Sequence, residues 1–118
     1  VLGLAFKAGT SDARKSPGIK LANILKEKGA SVTAFDPQAN DESRETLDTQ
    51  IDICDTIEQA IKGTSVIFVA TDWPEFKQAD LKAWSQSMEG DLIVDCMNCL
   101  EPSVVKDAGL RYIGVGRD

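Results

Sequence analysis

Ser65-Val66-Ile67-Phe68-Val69-Ala70 is an unbroken apolar run of strand length. Gly63 precedes it, and the polar pair Thr71-Asp72 follows. Apolar side chains at successive positions of a strand point to both faces of the sheet. Both faces therefore need cover, which is the situation in a parallel sheet flanked by helices. Reading outward tests that idea. Toward the C-terminus the pattern predicts a helix over 78–88 ended near Gly90, and a second buried strand at Leu92-Ile93-Val94-Asp95. A short helix over 102–108 ends at Gly109, and a last strand covers 112–115.

Toward the N-terminus, 56–62 reads as a helix stopped by Gly63, and 51–54 as a short strand. Residues 38–50 are polar and weakly patterned, a loop or a poor helix. Residues 31–35 form a strand closed by Asp36-Pro37. Ser16-Pro17 opens a helix: Ser can accept from free backbone N–H groups, and Pro suits the first helical position. Leu21, Ile24 and Leu25 follow at helical spacing, and Gly29 stands where a left-handed C-terminal cap would go. Val1 to Ala5 is a short apolar run that gives way to a loop over 6–15. Strands separated by helices imply right-handed crossovers, hence a Rossmann-like three-layer α/β/α sandwich with a mostly parallel sheet. The chain starts inside a strand without an initiator Met. Residues 1–118 are therefore expected to be one domain cut from a larger protein, with material missing before Val1.

Composition narrows the function. Hydrophobic residues make up 42% of the 118 and charged residues 27%, an ordinary globular balance. Thirteen basic against nineteen acidic residues leave a net charge of −6, which repels a polyanion and argues against nucleic acid as partner. No 18-residue apolar run is present, so no membrane span is expected, and no secretory leader is visible. Three cysteines, Cys54, Cys96 and Cys99, make an odd count that favours a reducing, cytoplasmic compartment over a disulfide framework. Histidine is absent, which removes Ser-His and Cys-His relays and the commonest nitrogen ligand of zinc. No metal site is expected.

Open parallel sheets bind ligands outside the carboxyl ends of their strands. Four loops leave such ends: 6–15, 36–37, 71–76 and 96–102. The first is the leading candidate. It carries Lys7, Arg14 and Lys15 and feeds a helix N-terminus, whose free N–H groups and partial positive charge favour phosphate. The plain alternative, solvated charges pairing with Asp12 or other acids, weighs equally on spacing alone. The Gly-rich dinucleotide turn is missing: Gly3-Leu4-Ala5-Phe6-Lys7-Ala8 keeps one glycine and adds bulk. Asp36 stands where an acid would hold a ribose hydroxyl, but turn initiation is the favoured reading. Trp73 and Phe76 look exposed on a loop. They could stack on a base or be covered by a missing partner domain, and packing onto the domain is preferred. Cys96 and Cys99 make a C-x-x-C, preferred as two half-buried thiols over a redox pair. No catalytic carboxylate pair stands out.

The run from Gly3 to Pro17, GLAFKAGTSDARKSP, closely resembles the signature of the UDP-glucose and GDP-mannose dehydrogenase family at its C-terminal UDP-binding domain. Ala34-Phe35-Asp36-Pro37, then 69–76 (VATDWPEF) and 112–117 (YIGVGR), continue the resemblance in order along nearly the whole chain. The resemblance implies an oxidoreductase that converts the C6 hydroxyl of a nucleotide sugar to a carboxylate, using two NAD molecules in succession. NAD would be held mainly by an N-terminal domain missing here. The catalytic cysteine would also lie elsewhere, since none of the three present matches its motif. The resemblance further implies that Phe6 and Lys7 contact the nucleotide sugar, that Ala8, Gly9 and Thr10 shape the substrate edge, and that Arg14 reaches the NAD. A homo-oligomer is expected of the full-length enzyme.

One departure stands out. After Asp95 the family runs Gly-Arg and then Arg or Asn, whereas here it is Cys96-Met97-Asn98, so that Met97 replaces an arginine that helps hold uridine diphosphate. UDP-glucose is the first expectation; another UDP-hexose or GDP-mannose is the alternative. A stand-alone nucleotide-binding module without catalysis is the competing reading.

Overall fold

The computed structural model describes residues 1–5, 16–44 and 46–115. Its elements run α1 (Pro17–Glu27), β1 (Thr33–Ala34), α2 (Asn40–Ser43), β2 (Asp52–Ile53), α3 (Ile57–Ile61), β3 (Val66–Val69), α4 (Pro74–Lys77), α5 (Leu81–Ser87), β4 (Leu92–Asp95), α6 (Pro102–Asp107) and β5 (Arg111–Gly114). All pairings are parallel. Thr33 sits opposite Asp52, Val66 opposite Leu92, and Leu92 opposite Arg111.

Leu2 joins the two halves of the sheet, bridging Phe35 on one side and Val69 on the other. Its N–H donates to the Phe68 carbonyl and its carbonyl accepts from Ala70 N–H, both at 2.8 Å, while Gly3 N–H donates to the Phe35 carbonyl at 2.8 Å. The spatial order is therefore β2, β1, the Leu2 segment, β3, β4, β5. Counting the Leu2 segment as the first strand, this is the 3-2-1-4-5-6 order of doubly wound sheets. The order reverses between the Leu2 segment and β3, the point at whose carboxyl ends such sheets bind ligands.

The pleat sorts the core. Leu2, Ile67, Val69 and Ile93 are buried, and so are Ile61, Leu81, Trp84, Val105 and Leu110 of the elements that cover them. Thr33 Oγ1 donates to the Ala60 carbonyl at 2.6 Å, tying β1 to α3. On the opposite face α1 presses its Gly18 onto the Gly3 carbonyl and Ala70.

Several boundaries differ from the sequence expectation for local reasons. The first strand shrinks to Leu2, because Gly3 turns the chain at φ 112° and the Thr71 side chain fills the space where a Cβ would stand. Ser16 does not cap α1 with its side chain. Its Oγ donates instead to the Ala5 carbonyl at 3.2 Å. Residues 74–77 form α4 rather than loop, started by Pro74 at its first position. The next helix begins at Leu81, later than expected, because Asp80 accepts from Ala83 N–H at 3.2 Å and fixes the start there. Thr56 caps α3 in the same way through Gln59 N–H, at 3.1 Å.

Candidate functional site

Four backbone stretches meet outside the carboxyl ends of the strands: 4–5, 36–39, 71–73 and 96–100. The first three are knitted by one carboxylate. Asp36 follows β1 and is 1% exposed. Its Oδ2 accepts from Leu4 N–H at 2.8 Å, from Ala5 N–H at 2.9 Å and from Trp73 Nε1–H at 3.1 Å. Its Oδ1 accepts from Gln38 N–H at 2.8 Å and Ala39 N–H at 2.9 Å. A carboxylate offers about four lone-pair directions, so five N–H donors saturate it. No acceptor capacity is left for a ribose hydroxyl. Turn initiation is therefore the correct part of the sequence reading, and the cross-strand tie is the part it missed.

Trp73 and Phe76 are 5% and 0% exposed, which corrects their exposed appearance in the sequence and agrees with packing. A buried indole N–H needs an acceptor. That requirement, next to an acid ending a neighbouring strand, was the signal available for the Asp36–Trp73 pair.

Asp95 repeats the arrangement at the end of β4. It is 0% exposed. Oδ2 accepts from Leu100 N–H at 2.8 Å and Tyr112 O–H at 2.9 Å, and Oδ1 from Met97 N–H at 3.2 Å and the Cys99 thiol at 3.7 Å. Burial, then the Asp95 charge and its hydrogen bond, push the Cys99 thiol up to about 12. Burial and then Asp95 raise Cys96 as well. Both thiols are half-buried, in line with two packed thiols rather than a redox pair. Among the described residues no three His, Cys, Asp or Glu side chains gather as a metal site. Met97, after β4, is 47% exposed.

Phe6, Lys7, Ala8, Gly9, Thr10 and Arg14, with Lys15, lie outside the described residues. The residues on either side of them are described. Ala5 and Ser16 are buried and joined by the Ser16 Oγ bond to the Ala5 carbonyl. The N-terminus of α1 thus stands beside the carboxyl end of the Leu2 segment, at the reversal of strand order. A groove of about 570 Å³ lies at the opposite end of the sheet, bordered by Val32, Lys62, Thr64 and Ser65, away from where such folds bind ligands.

The described residues do not by themselves fit a nicotinamide dinucleotide. The acid at the second strand is saturated, and Gly3 alone stands where a Gly-rich turn would be. No helix among the described residues is long and apolar enough to cross a membrane.

Comparison with known proteins agrees with this geometry. UDP-glucose 6-dehydrogenase YwqF of Bacillus subtilis is 38% identical over 117 residues, which cover 99% of this chain and 27% of that protein. UDP-glucose 6-dehydrogenase of Rickettsia felis is 34% identical, over 98% of this chain and 26% of its own length. Among solved structures, a UDP-D-ManNAc dehydrogenase of Pyrococcus horikoshii superposes with a TM-score of 0.78 at 31% identity, covering 98% of this chain and 24% of that one. A UDP-glucose dehydrogenase of Pyrobaculum islandicum does so with a TM-score of 0.75 at 29% identity, covering 96% and 24%. The chain spans about a quarter of the length of the relatives it matches. The sequence model described as UDP-glucose/GDP-mannose dehydrogenase family, UDP binding domain, matches residues 1–102, and this chain belongs to that family.

Proposed function

We propose that this chain is the C-terminal, nucleotide-sugar-binding domain of an NAD-dependent dehydrogenase that oxidises the C6 hydroxyl of UDP-glucose, or a related UDP-hexose, to the carboxylate. The family match over residues 1–102 carries the reading. The arrangement at the carboxyl ends supports it: Ala5 and Ser16, on either side of residues 6–15, are joined beside the N-terminus of an eleven-residue helix, where phosphate is favoured. Phe6 and Lys7 contact the nucleotide sugar, with Lys7 giving a charge-assisted bond to the diphosphate. Ala8, Gly9 and Thr10 shape the substrate edge. Arg14 reaches toward an NAD held mainly by another domain, its planar guanidinium suited to phosphate. NAD supplies the hydride acceptor; this domain holds and orients the sugar nucleotide. The full-length enzyme works in the cytoplasm as a homo-oligomer, and its unpaired thiols accord with a reducing compartment.

Titration of the protein with UDP, GDP and NAD, followed by calorimetry, tests this reading. UDP is expected to bind more tightly than GDP, and Lys7→Ala to weaken UDP binding roughly tenfold, the scale of one charge-assisted hydrogen bond. A preference for GDP moves the substrate toward GDP-mannose. An unchanged UDP affinity in Lys7→Ala removes that residue from the site.

A further inference from the structure

We propose that Asp36 and Trp73 are positioning residues for the nucleotide sugar: the buried Asp36 carboxylate, oriented by the Trp73 indole N–H, fixes the backbone of Leu4 and Ala5 at the strand end that precedes Phe6 and Lys7. This rests on the nucleotide-sugar reading above. The observation is the division of labour on one side chain. Oδ1 is spent locally on Gln38 and Ala39 N–H, whereas Oδ2 reaches 31 and 32 residues back to Ala5 and Leu4. The third donor to Oδ2 comes from Trp73, 37 residues onward and on the far side of the Leu2 segment. One oxygen therefore ties the three neighbouring strand ends at the reversal of sheet order. A second hold is independent, Ser16 Oγ on the Ala5 carbonyl. Ala5 is thus fixed through both its N–H and its C=O immediately before Phe6. A strand end held this way at a binding site loses less conformational freedom when ligand arrives, which raises affinity without adding a contact.

Such a residue acts on substrate and transition state alike, so its loss raises KM and leaves kcat in place. Trp73→Phe keeps a buried ring and deletes the indole donor. In the full-length natural protein carrying this chain, the Kd for UDP and the KM for UDP-glucose are expected to rise about fivefold, the worth of one hydrogen bond, with kcat within about twofold. Asp36→Asn, which puts an NH2 donor where an oxygen accepts from N–H groups, is expected to do more in the same direction. A purely structural role predicts a lower Tm with Kd and KM unchanged, and that result overturns the proposal. A second measurement needs no variant. UDP added to the unaltered protein must shift the Trp73 indole N–H resonance and slow amide exchange at Leu4 and Ala5; an indole and amides that stay silent at saturating UDP overturn it equally. Lys7→Ala separates the two readings. If Lys7→Ala weakens UDP and Trp73→Phe does not, positioning fails and the site stands. If UDP does not bind the unaltered protein, the nucleotide-sugar reading fails and takes this inference with it.

Discussion

At residue scale, the carboxyl end of the sheet is built from polar side chains turned inward, and they differ in how well they are satisfied. Asp36 and Asp95 are saturated by N–H, O–H and S–H donors. Thr71, 2% exposed beside Gly3, is not: its Oγ1 has no hydrogen-bond partner among the described residues. Burying an unpaired hydroxyl costs free energy that a methyl group of the same shape does not. Thr71→Val should therefore keep the packing against Gly3 and raise stability by about 1 kcal/mol. Urea unfolding checks this, and a loss of that size would show that the hydroxyl is bonded. Little of this was legible in the sequence. Asp36-Pro37 announced a turn because Asp accepts from the backbone two and three residues on, a local rule. Its bonds to Leu4, Ala5 and Trp73 depend on which strands become neighbours, and no local pattern carries that. Trp73 and Phe76 looked exposed because polar residues surround them in sequence, while in space they belong to the hydrophobic core.

At the scale of elements, close approach and buried charge decide what each can tolerate. Gly18 lies in the first turn of α1, where helix propensity alone would make Ala better by about 1 kcal/mol. The added Cβ would run into the Gly3 carbonyl, which is backbone and cannot swing aside. Gly18→Ala should then destabilise by about 2 kcal/mol, overpacking outweighing propensity, and a gain in Tm would refute the tight α1 contact. The segment after β4 makes an electrostatic prediction. Cys99 is pushed up to about 12 by burial and Asp95, above its value in the unfolded chain. The folded state thus keeps the proton where the unfolded state gives it up. The associated stability is complete below the ordinary thiol value and is lost as pH rises from there toward 12. Cys99→Ala should flatten that alkaline decline in a pH series of unfolding curves. A series that superposes on the parent would mean that Asp95 does not hold the thiol neutral.

For the whole molecule, strand and helix alternation was readable because a run such as 65–70 is apolar on both parities, and only a doubly covered parallel strand needs that. Strand order was not readable. The reversal at the Leu2 segment follows from the direction each crossover takes across the sheet, which hydrophobic spacing does not encode. Basic charge and the family signature singled out residues 6–15, while the bonds of the preceding Leu4 and Ala5 to Asp36 and Ser16 appeared only when the strand ends were assembled. The assembled sheet is also uneven, with consequences for how it opens. β3, β4 and β5 share registers four residues long, whereas β1 and β2 share two pairs at the far edge. The Leu2 segment is the seam between them, bonded to β3 through Leu2 N–H to Phe68 and Ala70 N–H to Leu2. Local opening should start where contacts are fewest and exposure greatest, at β2, where Asp52 is exposed and Ile53 half-buried. Native-state hydrogen exchange is expected to release the Cys54 amide, bonded to the Ala34 carbonyl, at least roughly tenfold faster than the Ala70 and Cys96 amides on either side of β3. Should Cys54 exchange as slowly as Ala70, the sheet opens as one unit, and the seam at Leu2 transmits stability across its full width.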